Sequence, residues 1–399
     1  VSVRAELVID LGAIRANARA LSALVRPARY MAVVKANAYG HGLVPVARAL
    51  TGDVAGFCVY RADEAVTLRA AGITAPVLVL GPLEPKELAA VYDARAAITL
   101  WSTGAFVREA TRLAERGGRP LAVHAKIDTG VTRLGLDAGS AAAAITGYLD
   151  DPALAVRGAF THLAAAEELE SGLTYRQLER FERALDPLAQ RLAAAGVVRH
   201  AAASAAAMLF PRLRLDAVRP GIATYGIWPS AETAAAAPES LELQPALRWQ
   251  SELVVVREVE AGRSVGYGCT FRTVRPSRIG VLPIGYAEGL PRALSNAGQT
   301  LVAGRRVPFV GRICMNMSFI DVTAVPEAVP GSRVTLVGAD GDERIDANEL
   351  AEAAGTIGYE IVARLPAELP RSYVDEASGA RGPGTENDRS AAARSSVPS

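Results

Sequence analysis

Between residues 30 and 225, short apolar runs alternate with longer amphipathic stretches, and this alternation narrows the possible folds more than any other feature. The runs fall at 31–35, 56–60, 77–80, 97–100, 121–127, 156–160, 198–204 and 217–219. Continuous apolar runs of this length read as strands covered on both faces. The stretches between them, such as 102–116 and 175–195, carry apolar residues at helical spacing. Eight strands separated by helices predict an α/β fold, a parallel (β/α)8 barrel of the TIM type.

At 399 residues the chain exceeds one ordinary core, and its character changes after about residue 240. Segments 250–259, 277–284, 300–310, 318–322 and 333–337 are rich in Val and Ile, with Gly, Pro and Asp between them. That punctuation predicts a C-terminal mostly-β domain. One helix, 346–355, interrupts it, with Asp346 as its cap. The Ala-rich segment 231–240 reads as the connector. The expected division is a barrel over 1–235, a β domain over 236–375 and a disordered tail over 376–399. The first ten or so residues are free to pair with the β domain.

A net charge of +1 leaves no basic excess for a nucleic-acid footprint. An anionic substrate must then be met by individual arginines. The Ala-rich runs are too short and too weakly apolar for a membrane span. The three cysteines, Cys58, Cys269 and Cys314, are far apart and lack metal-ligand spacing, so no metal is expected. They fit a reducing cytoplasm, and the opening Val1-Ser-Val-Arg-Ala-Glu lacks the pattern of a signal segment.

In such a barrel, active-site residues stand at the carboxyl ends of the strands. Lys35 closes the first run and is followed by Tyr39 and two glycines. Burying an unpaired ammonium is costly, and desolvation frees the amine as base or nucleophile. Schiff-base chemistry with an aldehyde cofactor is one reading. A lysine whose stem packs while its head reaches water is the other. The remaining strand ends carry Lys126 and Arg133, then His162, Ser204 and Arg219, with Gly221 and Ile222 just beyond. Taken singly, Arg133 reads as a solvated arginine, His162 as a structural histidine, and Ser204 as nothing in particular. Their shared placement at one mouth favours function. Lys35 suits an imine, while the Ser204 hydroxyl and the Gly221 and Ile222 N–H groups suit a phosphate. An arginine suits a carboxylate, which it can clamp with two parallel bonds.

With these motifs in view, the chain resembles the alanine racemase family of pyridoxal-phosphate enzymes. The matching segments are Val33-Val-Lys-Ala-Asn-Ala-Tyr-Gly-His-Gly, Asp128-Thr-Gly-Val-Thr-Arg-Leu-Gly, Thr161-His-Leu and Val218-Arg-Pro-Gly-Ile. In the second domain they are Val265-Gly-Tyr-Gly, Ile284-Gly-Tyr-Ala-Glu-Gly, Gly311-Arg-Ile-Cys-Met-Asn and Thr356-Ile-Gly-Tyr-Glu. The resemblance implies a homodimer with shared active sites, acting on alanine and supplying D-alanine for peptidoglycan. It implies that Lys35 binds pyridoxal 5'-phosphate as an imine and acts as one base. Tyr267 of a second copy would be the other base. Tyr39, Ser204, Gly221, Ile222 and Tyr359 would bind the phosphate, and Arg219 would face the pyridine nitrogen. Arg133 and the Met315 N–H would hold the substrate carboxylate. Lys126 matches a carbamylated lysine that would orient Arg133, and Tyr286 would line the access route. A chain of His162 and Arg219 behind Tyr267 would favour its phenolate.

The sequence departs from the family at Asn316, where aspartate is common, and at Thr132 and Gly358. Three other functions remain open: a serine or broad-specificity racemase, a non-catalytic pyridoxal-phosphate carrier, and a decarboxylase of the same fold. The carrier resembles the barrel half alone, and the context of Cys314 favours a racemase over a decarboxylase.

Overall fold

The computed structural model describes residues 5–375 and 380–381. Eight parallel strands form a closed ring: Arg29–Val33, Gly56–Val59, Val77–Val79, Ala97–Leu100, Leu121–Asp128, Leu154–Phe160, Val198–His200 and Ala217–Val218. Closure comes from the last strand pairing the first, Ala217 beside Arg29 and Val218 beside Tyr30. The ring is continuous on the other side, where Ile98 pairs Val123. Each of the eight expected runs overlaps one of these strands. They were legible because both faces are covered, by side chains inside and helices outside, so no polar alternation dilutes the signal.

Two strand ends differ from expectation. The first strand stops at Val33, so Lys35 lies beyond it rather than at its end. The seventh stops at His200, and Ser204 opens the helix Ser204–Leu209 instead. The helix expected over 175–195 is two helices, Leu173–Leu185 and Ala189–Ala194, joined by a 3-10 turn at Asp186–Leu188. Pro187 has no N–H and its ring crowds the preceding turn, which breaks the helix there. The connector is also more ordered than expected. It contains a helix, Ala231–Ala236, whose Ser230 hydroxyl accepts the Thr233 N–H.

The second half of the chain forms further sheets. The expected strand 250–259 is two, Leu247–Glu252 and Val255–Val259, which belong to different sheets. The expected strand 300–310 is a hairpin, Gln299–Val302 with Arg305–Pro308. Ala303 and Gly304 turn it at φ 49° and 72°, as a tight hairpin turn of inverted hand requires. The helix Ala347–Ala354 is capped by Asp346, which accepts the Asn348 and Glu349 N–H groups at 2.9 Å each.

The strand Ala5–Asp10 lies in the larger sheet of the second half. It runs antiparallel to Leu247–Glu252 and parallel to Arg371–Asp375. Asp10 then caps the helix Leu11–Val25, its carboxylate accepting the Ala13 N–H at 3.0 Å. One apolar core, including Phe57, Phe181, Tyr225, Trp249 and Phe309, runs through both halves without a break. Backbone pairing continues from Val374–Asp375 to residues 380–381. The rest of the expected disordered tail, 376–379 and 382–399, lies outside the described residues. Among the described residues, no helix is long and apolar enough to cross a membrane.

Candidate active site

A cavity of about 830 Å³ opens at the carboxyl ends of the barrel strands. Its wall includes Lys35, Tyr39, Lys126, Arg133, His162, Ser204, Arg219, Gly221, Ile222 and Tyr359. These expected site residues, spread from 35 to 359, are therefore brought to one mouth. A wider groove of about 1260 Å³ lies at the opposite end, beside Arg29 and Val198. Its charges largely satisfy one another, as in the Arg199–Asp216 and Arg212–Glu182 pairs.

Lys35 opens a turn of unusual hand. Ala36, Asn37, Ala38 and Tyr39 all have φ of 53–54°. For residues with a Cβ this conformation costs about 1–2 kcal/mol each, so the surroundings must impose it. Side chains do so along the turn. Glu64 Oε1 accepts the Ala36 N–H at 2.7 Å, and Asn37 Oδ1 accepts the Leu43 N–H at 2.8 Å. His41 Nδ1 donates to the Tyr39 and Ala38 carbonyls at 2.8 and 3.2 Å. Arg371 Nε donates to the Gly40 carbonyl at 2.8 Å. Burial pushes His41 down to about 4, so the ring is neutral near pH 7, and it stacks on Tyr225 at 4.5 Å.

The glycines after Lys35 serve packing rather than ligand approach. A Cβ on Gly40 would meet the Val362 carbonyl oxygen at 2.1 Å, and one on Gly42 the Tyr373 hydroxyl at 2.0 Å. Burial, then the charge of Arg133, pushes the Lys35 ammonium below its ordinary value, and Glu64 opposes them. Burial and the neighbouring Arg133 and Arg219 push Lys126 down to about 8. Both amines are thus easier to deprotonate than a solvated lysine.

Arg219 is buried and holds its place with three bonds. It donates to His200 Nδ1 at 2.5 Å and to the Thr161 and Ala201 carbonyls at 2.8 and 3.2 Å. Because Nδ1 accepts, the His200 proton sits on Nε2, which donates to His124 Nδ1 at 2.9 Å. Burial pushes His124 down to about 3 and His200 well below its ordinary value, so this chain is neutral beyond the arginine. Gly158 makes room for it, since a Cβ there would strike His124 Nδ1 at 2.2 Å. The expected His162–Arg219 chain is corrected: Arg219 bonds His200. His162 lines the cavity separately, pushed by burial to about 3.

Ser204 Oγ accepts the Gly221 and Ala223 N–H groups at 2.9 and 3.3 Å. The Gly221 amide, expected to meet a phosphate directly, is thus turned onto Ser204. The serine's own O–H remains available to donate. The absent Cβ of Gly221 makes room for Tyr39, whose hydroxyl would otherwise lie at 2.4 Å. Tyr359 and Glu167 both line the cavity, and burial raises the Glu167 carboxyl above its ordinary range. Hydroxyls of Ser204, Tyr39 and Tyr359 around a glycine-lined recess, with an amine at Lys35, suit a small phosphorylated aldehyde. The cavity volume also lies within the usual range for a bound ligand.

Arg133 rides on a loop that Asp128 gathers. Oδ1 accepts the Gly130, Val131 and Thr132 N–H groups at 2.8, 3.0 and 3.1 Å, and Oδ2 accepts that of Arg133 at 2.8 Å. Burial raises the Asp128 carboxyl, but these four bonds outweigh it and hold it below its ordinary value. Thr132 sits at φ 57°, a conformation that glycine adopts without strain.

The other expected residues do not join the cavity. Tyr267 is 74 % exposed and Met315 57 %, and Tyr286 and Asn316 are exposed too. They share one platform on the second half. Tyr286 N–H donates to the Cys314 carbonyl at 3.1 Å and Ala287 N–H to that of Met315 at 2.9 Å. Asn316 Nδ2 donates to Glu288 Oε1 at 2.8 Å. Tyr267 stands nearby, with Gly268 against the Arg312 guanidinium.

Sequence reasoning missed Glu64, His41, His124, His200 and Arg371. For the histidines a signal existed: His124 and His200 interrupt apolar strands, where an unpaired imidazole is costly.

Comparison with known proteins agrees across the chain's length. The family model "Alanine racemase, N-terminal domain" matches residues 9–229, and "Alanine racemase, C-terminal domain" matches 246–373. The alanine racemase of Symbiobacterium thermophilum is 43% identical over 375 residues, 92% of this chain and 96% of that protein. The alanine racemase structure from Streptomyces coelicolor A3(2) superposes with a TM-score of 0.85 at 35% identity, covering 93% of this chain and 98% of that one. That from Bacillus anthracis, with bound L-Ala-P, gives 0.84 at 35% identity, covering 94% and 96%.

Proposed function

The chain belongs to the alanine racemase family, and on that premise we propose that it interconverts L- and D-alanine with pyridoxal 5'-phosphate, using Lys35 and Tyr267 as two bases. The observation that carries this reading is the half-buried Lys35 amine at the start of a strained turn, sharing one cavity with Arg219, Ser204 and Arg133.

When bound, pyridoxal phosphate draws electrons from the substrate's α-carbon and makes its proton removable. Lys35 would hold the group through Nζ until the substrate's amine displaces it, and the freed Lys35 amine would take or return a proton at the α-carbon from one face. Tyr267 does so from the other. A single base would tend to return the proton to the face it left, so racemisation calls for two. Both side chains have ordinary pKa values near 10 and need tuning toward the working pH. Burial begins this for Lys35. Ser204, Tyr39, Ile222 and Tyr359 hold the phosphate. Arg219, fixed by its bond to His200, would face the pyridine nitrogen and leave it unprotonated, which would weaken the electron sink and suppress transamination. Arg133 clamps the substrate carboxylate, helped by the Met315 N–H. Lys126, carbamylated, orients Arg133; its depressed pKa supplies the neutral amine that carbon dioxide requires.

In this reading the barrel, 1–235, binds the cofactor, and the second domain, 236–375, closes the site of another copy. The exposed platform of Tyr267, Tyr286 and Met315, none of which lines this chain's own cavity, supports a homodimer with shared sites. Its setting is cytoplasmic and its product feeds peptidoglycan synthesis.

The test is incubation of purified protein with L-alanine and L-serine, followed by chiral chromatography. D-alanine forming fastest supports the reading. D-serine forming as fast makes this a broad racemase, since pockets separate a single hydroxyl weakly. No product from either substrate overturns it. Borohydride reduction and peptide mapping must place the cofactor on Lys35.

A further inference from the structure

Glu64 stands outside the cavity yet bonds the backbone next to the reacting amine. It is 6 % exposed and is the third residue of the helix Ala62–Ala70. Its Oε2 accepts the Tyr60 and Arg61 N–H groups at 2.8 and 3.0 Å, which completes the helix start. One oxygen therefore meets the capping need alone. The other, Oε1, accepts the Ala36 N–H at 2.7 Å, across 28 residues of sequence.

That N–H belongs to the peptide joining Lys35 to Ala36. Holding its plane fixes ψ of Lys35 and the left-handed φ of Ala36, 54°. The other supports act further along the turn: His41 on Ala38 and Tyr39, Arg371 on Gly40. Among the described residues, no other side chain bonds the Lys35–Ala36 peptide. The Glu64 charge also acts on the Lys35 ammonium, against the effect of burial.

We propose that Glu64 is a positioning residue for Lys35: its carboxylate sets the plane of the Lys35–Ala36 peptide and so the point from which the amine meets the substrate's α-carbon. This rests on the reading of Lys35 as cofactor anchor and base. Glu64 touches neither cofactor nor substrate. A displacement of a reacting group by about 1 Å can cost about 100-fold in rate, so control of one peptide plane has kinetic weight.

Two variants test it. Glu64→Asp keeps a carboxylate for the helix start but draws it back from Ala36 by one methylene. Glu64→Gln keeps the length but turns an NH2 toward N–H donors. Three quantities are read: melting temperature, the rate at which the apoprotein fixes pyridoxal phosphate on Lys35, and α-deuterium isotope effects on each alanine enantiomer. The expected result is a nearly parental melting temperature for Glu64→Asp and capture on Lys35 slowed roughly 10-fold. The isotope effect changes for the enantiomer that yields its proton to Lys35 and stays parental for the one served by Tyr267. Equal losses on both enantiomers with parental capture would overturn the proposal and leave Glu64 a helix cap. Failure of both variants to fold would overturn it too, because Glu64 would then serve the fold alone. If the parent protein itself carries no label on Lys35, the underlying reading fails instead.

Discussion

The barrel mouth and the Tyr267 platform make opposite use of their surroundings. At the mouth, Arg219 and Ser204 are buried, and they and the turn after Lys35 are tied by hydrogen bonds to His200, Ala223 and Glu64, which stand outside the cavity. On the platform, Tyr267 and Met315 face solvent, above a backbone held by hydrogen bonds. The first region is a finished half-site and the second is a presented one. In the proposed reading the chemistry is complete only when the mouth of a second copy covers the platform.

The largest effect tests that comparison directly. Lys35→Ala and Tyr267→Phe should each lower racemisation by about 10²–10⁴-fold or more, the usual loss for an acid or base. Tyr267→Phe should still capture cofactor, and Lys35→Ala should not. Mixed under conditions that exchange subunits, the two should recover roughly a quarter of parental activity, because heterodimers hold one intact site. No recovery despite mass-spectrometric proof of exchange would mean that mouth and platform meet within one chain.

A smaller effect probes how rigid the mouth is. Asp128→Asn leaves one oxygen for four N–H groups and aims an NH2 at another donor. The loop bearing Arg133 should loosen. We expect KM for alanine to rise about tenfold, equivalent to about 1.4 kcal/mol, with kcat changed far less. A parental KM would show that Arg133 is placed by something else.

Lys126 gives a pH test. Its folded pKa of about 8 lies below the ordinary 10.5, so the unfolded chain binds more protons between those values. Stability contributed at this site therefore rises with pH through that window. The penalty of burying the ammonium is fully present below pH 8 and fades toward 10.5. Replacing Lys126 with Met should raise the melting temperature more at pH 7 than at pH 10. If the gain is the same at both, Lys126 does not titrate as a free amine, as expected were it carbamylated throughout.

The smallest effect belongs to the platform. Asn316 donates to Glu288, so Asn316→Asp would set two carboxylates against each other. KM for alanine and inhibition by cyclic carboxylate mimics should shift a few-fold, about 1 kcal/mol or less. Cofactor capture should stay parental. Adding Glu288→Gln should restore the contact. A shift in melting temperature alone, with inhibition unchanged, would reduce the pair to a loop brace.

Much of the mouth was legible because parallel strands advertise themselves as apolar runs, and residues at their carboxyl ends share a face. The turn after Lys35 was not. Ala-Asn-Ala-Tyr gives little sign of a left-handed run, since its conformation is supported by Glu64 and Arg371 from distant parts of the chain as well as by His41 just beyond it. Nor could spacing show that Arg219 selects His200 over His162, because both stand at or just beyond the carboxyl end of a barrel strand. The split at Leu253 was hidden as well. The strand Leu247–Glu252 runs into the Val-rich Val255–Val259 and the two read as one until the sheets claim them separately.

The strand Ala5–Asp10 is flanked by Leu247–Glu252 and Arg371–Asp375. Ser372 and Glu6, joined by a hydrogen bond, are 366 residues apart in sequence. On a ribosome adding about 5–20 residues per second, the early strand waits on the order of tens of seconds for its last neighbour. The guanidinium that grips Gly40 arrives with that same late strand. A nascent chain can thus close its barrel well before Arg371 is made, and the turn bearing Lys35 gains that support late.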